Sequence, residues 1–153
     1  MKENLNQIGM VQLGVWLLGE FGEMLINGSA KDPDGNAILV DEEEITDLLS
    51  RILDSHEKKG DRSDTIICWV LTALSKLTIR LKTIQKKAKE LIERFQDHMN
   101  VEIQQRACEY LQLFDKKWDE ERQGIFEPIP IKGDLESKTV FETKDRPDFD
   151  END

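Results

Sequence analysis

Apolar residues recur along this chain at the three-to-four-residue interval of a helix, in five blocks separated by short polar stretches. In residues 5–27, Ile8, Val11, Val15, Leu18, Leu25 and Ile26 form one stripe, and Trp16 and Phe21 widen it. Only Glu20 and Glu23 are charged between Asn4 and Asn27, which predicts a helix buried on more than one side. Its glycines, Gly9, Gly14, Gly19 and Gly22, predict a helix break or close helix crossings, since each weakens a helix by about 0.5–1 kcal/mol relative to alanine. Residues 28–40 read as a loop from their Gly, Pro, Asp and Asn content.

Residues 41–56 carry the stripe Ile45, Leu48, Leu49, Ile52, Leu53, closed by His56. Asp41 and Glu44 stand at capping-box spacing, and Glu42, Glu43 and Glu44 favour a helix start through the unpaired amides there. After a polar break around Gly60, residues 63–81 are apolar on two sides, as an inner helix is. Residues 83–99 carry a single stripe, Ile84, Ala88, Leu91, Ile92, Phe95 and Met99, as an outer helix does. Residues 100–118 complete the series, with Asn100 as N-cap, Glu102 in the first turn, Lys116 and Lys117 near the end, and Ile103, Ala107, Tyr110, Leu111, Phe114 and Trp118 on one face. That helix is expected to run on to about Gln123, before Gly124, Pro128 and Pro130 end it.

The periodic blocks predict an all-α chain of five helices, alternately inner and outer, as stacked helix pairs produce. A compact five-helix bundle is the competing architecture. In a solenoid piece, the apolar surface of the first helix would wait for a preceding repeat. Residues 1–131 are expected to form the helical-repeat domain. Residues 132–153, with eight acidic and four basic residues and few large apolar ones, are expected to be a flexible acidic tail.

Charge narrows the function. A formal net charge of −11 over 153 residues repels polyphosphate, so general nucleic-acid binding is not expected. Against that background Arg80, Lys82, Lys86, Lys87 and Lys89 form a basic run with no acidic residue among them. They are the candidate docking patch for an acidic partner or lipid headgroup, weighed against a solvated helix face that merely relieves net charge.

No enzyme is expected. The sequence suggests no Ser-His-Asp or Cys-His arrangement and no phosphate-cradling glycine loop, and its acidic runs are explained by helix starts and solvation, so no catalytic or cofactor-binding residue is assigned. Asp32, Asp34 and Gly35 resemble part of a calcium loop. With Gly35 as the sixth position, however, Ala30 would be first, Pro33 fourth and the short Asp41 last, so a solvated turn is expected and no metal ligand is assigned. Cys68 and Cys108, each in an apolar pattern, are expected to be buried free thiols of a reducing compartment. No segment reaches the ~18 uncharged apolar residues of a membrane span, and the first residues lack the hydrophobic region of a signal peptide.

Three segments in order, VWLLGEFGEMLING (15–28), LTALSKLTIRL (71–81) and VEIQQRACEYLQLF (101–114), resemble the end of the helical trunk of the large adaptin subunits of clathrin adaptor complexes, most nearly the gamma class. The resemblance covers roughly residues 10–131. It implies a superhelix of HEAT/armadillo-like repeats in a non-enzymatic subunit that packs against a small, a medium and a second large subunit. It also implies vesicle-mediated intracellular protein transport, indirect contact with the clathrin coat, and a cytoplasmic protein held peripherally on trans-Golgi network and endosome membranes. The tail would be the start of a hinge. The alternative function is a stand-alone helical-repeat scaffold or regulator of one protein partner.

Overall fold

A computed structural model describes residues 5, 7–57 and 61–129, without the side chains of 61 and 62. The expected tail, residues 132–153, lies outside the described residues. Six α-helices follow in order: α1 (Ile8–Ile26), α2 (Glu42–His56), α3 (Asp61–Arg80), α4 (Gln85–Glu93), α5 (Val101–Leu113) and α6 (Asp119–Ile125), with a 3-10 turn at Lys116–Trp118. Among the described residues the only β pairing is an isolated antiparallel bridge, Lys31 to Ala37. The fold is all-α, as the periodicity predicts.

Each of the first helices packs on the next and on the next but one: α1 on α2 and α3, α2 on α3 and α4, α3 on α4 and α5. Helices two apart run in the same direction. Gly19 faces Ala73 and Gly22 faces Leu77, which sets α1 parallel to α3; Asn100 bonds Asp64 and Tyr110 bonds Thr72, which sets α5 parallel to α3. Two layers result, with α1, α3 and α5 in one and α2 and α4 in the other, the arrangement of a helical solenoid. Leu49, Ile52, Leu71, Leu74, Ile92 and Phe95 are wholly buried where the layers meet. Across the outside of the second layer Arg94 bonds Asp54 and Glu57, each at 2.8 Å.

Two of the glycines of α1, Gly19 and Gly22, serve a close crossing, and the helix runs from Ile8 to Ile26 without a break. A β-carbon on Gly19 would lie 3.0 Å from the Ala73 Cα, so only glycine lets the two backbones approach this far. Downstream, the α1–α2 loop turns through Gly28 at φ 73°, a left-handed conformation that disfavours side chains.

Four local expectations are corrected. Asp41 has the extended backbone of a cap residue, but its carboxylate makes no cap bond. The outer helix starts at Gln85 and stops at Glu93, because the backbone tightens into i→i−3 bonds at Phe95, Gln96 and His98; Phe95 is buried and Met99 protrudes on the turn that follows. The next helix ends at Leu113 instead of running through Trp118. There Arg122 folds back, donating to the Leu113 carbonyl at 3.1 Å with its guanidinium 5.7 Å from the Phe114 ring, and α6 turns so that Phe126 is buried edge-on against Tyr110. Finally, α1 is not buried on more than one side, as described below.

Asn100 caps α5 as expected: its side-chain oxygen accepts the Glu102 N–H at 2.9 Å, while its amide donates to Asp64 at 2.6 Å. Replacing Asn100 with alanine removes both. A loss of about 1–2 kcal/mol in urea unfolding is expected, and Asn100→Ser, which keeps a cap acceptor without the amide bond to Asp64, should recover part of it.

Candidate functional site

Three surfaces could meet a partner. The first is the outer face of α1. Val11, Val15 and Leu18 are buried against the core, whereas Ile8, Met10, Leu13, Trp16 and Leu17 remain 36–57% exposed. The periodicity shows that this helix is apolar nearly all round, but within the described residues neighbours cover only one side of it. Of the helix's two charged side chains, Glu20 shares this side, four residues on from Trp16, but is buried, and Glu23 is half-buried. By length and composition α1 is also the one described helix apolar enough to cross a membrane. Its buried Glu20, ion-paired with Lys76, and its close crossing with α3 mark it as a helix of the packed core instead.

The second surface is an open groove of about 700 Å³ on the α1–α3–α5 layer. Trp16 and Trp69, each just over one-third exposed, stand along it with Val15, Ala73, Cys68 and Thr72 between them. One end is formed by Glu20 and Lys76, the other by Asp64, Asn100, Glu102 and Arg106. Arg106 pairs with Glu102 at 2.7 Å, and the Thr72 hydroxyl bonds the Tyr110 hydroxyl at 2.8 Å, so this wall is internally satisfied. At the Glu20 end the chain beyond α6 returns: the Ile129 N–H donates to the Glu20 carboxylate at 3.2 Å.

The third is the basic run. Lys82, Lys86, Lys87 and Lys89 are exposed, and among the described residues only Lys89 has an ion-pair partner, Glu93 at 3.9 Å. Arg80 is placed apart from them, donating to the backbone carbonyls of Gly19 and Glu20 and so joining α3 to α1. The lysines form a local positive face without geometry for a particular ligand.

No catalytic arrangement is assembled among the described residues. His56 is buried and its Nδ1 bonds the Ile52 carbonyl at 2.9 Å; His98 accepts the Asn100 N–H at 3.1 Å. Among the described residues no group of three His, Cys, Asp or Glu side chains could hold a metal. The Asp32 carboxylate closes its own loop, accepting the Asp34 and Asn36 N–H groups and the Asn36 amide. Those bonds, the Asn36 side chain foremost, hold its carboxyl below the usual aspartate range. Cys68 is buried as expected, and that burial pushes its thiol up. Cys108 is exposed, contrary to expectation: it follows Ala107 and so points about 100° away from the buried Ile103–Ala107 stripe.

The family described as "Adaptin N terminal region" matches residues 2–117. Human "AP-1 complex subunit gamma-like 2" is 34% identical over 131 residues, covering 86% of this chain and 16% of that protein. "AP-1 complex subunit gamma" of Dictyostelium discoideum is 30% identical over 144 residues, 92% of this chain and 15% of that protein. "AP-1 complex subunit gamma-1" of Mycosarcoma maydis is 34% identical over 132 residues, 85% of this chain and 14% of that protein. The chain therefore spans about one-sixth or less of the length of these curated relatives.

Proposed function

This chain belongs to the adaptin N-terminal region family, and on that premise we propose that it acts as a non-enzymatic packing piece of a clathrin-associated adaptor complex. Its work is protein–protein contact in vesicle-mediated transport. The partners are the small, medium and second large subunits of such a complex, reached from the cytoplasm at trans-Golgi network and endosome membranes. Residues 1–131 form the packing domain, and residues 132–153 the start of an acidic hinge.

One observation carries this reading: the outer row of α1, with Leu13, Trp16 and Leu17 exposed while the carboxylate on that side, Glu20, is buried and paired with Lys76, in a chain of net charge −11. Contiguous exposed apolar surface of this kind marks an interaction site rather than a finished exterior. In a stack of helix pairs, such a face is covered by the neighbouring helices of the assembly.

The test is capture from a eukaryotic lysate with the folded chain as bait. Recovery of the small, medium or second large adaptor subunits is expected. Recovery of none of them, from bait with intact helical circular dichroism, would count against the proposal.

A further inference from the structure

Three ties converge on one residue of α1. Glu20 is buried; its carboxylate takes the Lys76 ammonium on one oxygen and the Ile129 N–H, at 3.2 Å, on the other, and its backbone carbonyl accepts from Arg80. Lys76 and Arg80 belong to α3, on which α1 packs along its length. Ile129 comes from farther away, 109 residues along the chain and past α6. The segment that brings it there has a second hold: Phe126 is buried edge-on against Tyr110 of α5, with the ring centres 5.6 Å apart. Tyr110 bonds Thr72, one turn of α3 before Lys76, so residues 126–129 cross the groove face of α3 from α5 to α1.

Between its two holds this segment is stiff. Glu127 is kept extended by the proline after it, and Pro128 fixes its own φ, so the backbone sets the distance from Phe126 to Ile129. Beyond the two holds little restrains it. Glu127 and Pro128 are exposed and Ile129 is 52% exposed, while Gly124, in the last turn of α6, has nothing within 4 Å of its β position. A short stiff piece fixed at two points, with few other buried contacts, docks and leaves as a unit.

We propose that residues 126–129 are a latch, through which the chain that follows residue 129 controls how firmly α1 is seated on α3. Docked, the latch completes the hydrogen bonding of the buried Glu20 carboxylate. Drawn away, it leaves that carboxylate short of a donor, which penalises the seated position of α1 and favours its lifting from α3. Because the hold on α5 places Ile129, losing the Phe126 ring loosens α1 just as losing the Glu20 bond does. The outer row of α1 is then a regulated face; that meaning rests on the packing role proposed above, whereas the coupling of latch to helix stands without it.

The test is native-state hydrogen exchange of the full 153-residue chain, read for α1 around Glu20 and for α2. Ile129→Pro removes the N–H at an exposed position, and the exchange of α1 should rise about tenfold while that of α2 is unchanged, the effect of losing one hydrogen bond to a buried charge. Ile129→Val keeps the N–H and should match the parent. Phe126→Ala should raise α1 exchange at least as much, and adding Ile129→Pro to it should bring little more, since the two holds act together.

Unchanged α1 exchange in a folded Ile129→Pro chain overturns the proposal. So does a rise shared equally by α1 and α2, which is a general loss of stability, or a rise with Ile129→Pro but none with Phe126→Ala, which is a local bond without a latch. Should either variant lose its helical circular dichroism, Phe126→Leu decides alone: a rise confined to α1 supports the latch, and none overturns it. A chain that shows the coupling yet captures no adaptor subunit keeps the latch and loses the packing role.

Discussion

Replacing Gly19 with valine is expected to destabilise the helical domain by about 3 kcal/mol, seen as a fall of about 10 °C in its melting temperature. A β-carbon at Gly19 would sit 3.0 Å from the Ala73 Cα and 3.1 Å from its Cβ. Neither atom can rotate away, so α1 must lift off α3 and the buried contacts of Val11, Val15 and Leu18 loosen with it. Gly22 is the informative comparison: there the added carbon meets the Leu77 Cδ2 at 2.9 Å, the end of a flexible side chain. Gly22→Ala should therefore cost less than Gly19→Ala. Gly9, with nothing within 4 Å, should accept alanine with a gain of up to about 1 kcal/mol from helix propensity. Thermal and urea unfolding of this set would check the order, and a harmless Gly19→Val would mean that the two backbones do not cross this closely.

Lys76→Met carries the second large expected effect. Glu20 is 2% exposed, and its carboxylate takes the Lys76 ammonium on one oxygen and the Ile129 N–H on the other. Removing the cation leaves a buried carboxylate with one neutral donor, a change that typically costs 3–5 kcal/mol when one partner of a buried pair is deleted. Because Lys76 keeps 18% exposure, the lower end, about 3 kcal/mol, is expected. The double variant Glu20→Leu with Lys76→Met removes both charges and should recover most of the loss, since apolar replacement of a buried pair is often neutral. Urea unfolding of the two single variants and the double variant reads the coupling directly. A neutral Lys76→Met would show that the pair does not stabilise the α1–α3 contact.

Much of this architecture was legible in the chain because a buried stripe and a helical period are the same signal. Ile45, Leu49, Ile52, Ile92 and Ile103 sit in the core where periodicity puts them, and Asn100 caps its helix. What escaped was tertiary. Nothing in the local pattern near Phe114 says that Arg122 will return to the Leu113 carbonyl, so one long helix was expected where a helix, a 3-10 turn and α6 stand. Periodicity also cannot say which neighbours are present. The all-round apolar pattern of α1 is real, but the described residues cover only its inner side, and the uncovered side is the part that bears on function. The basic run was visible as composition, yet composition could not show that Arg80 is engaged by the α1 backbone while the four lysines face solvent. The groove had no sequence signal at all, since Trp16, Trp69 and Ile129 meet only after the helices stack.

The outer row of α1 as a packing surface is tested most directly by sedimentation velocity of the purified chain over a hundredfold range of concentration, beside a Leu13→Asp, Leu17→Asp double variant. The parent should self-associate as concentration rises and bind an apolar dye, because its uncovered face seeks a partner. The variant should stay monomeric with the same helical circular dichroism. A parent that remains a monomer throughout, without affinity for the dye, would contradict the assignment of that face as an interface.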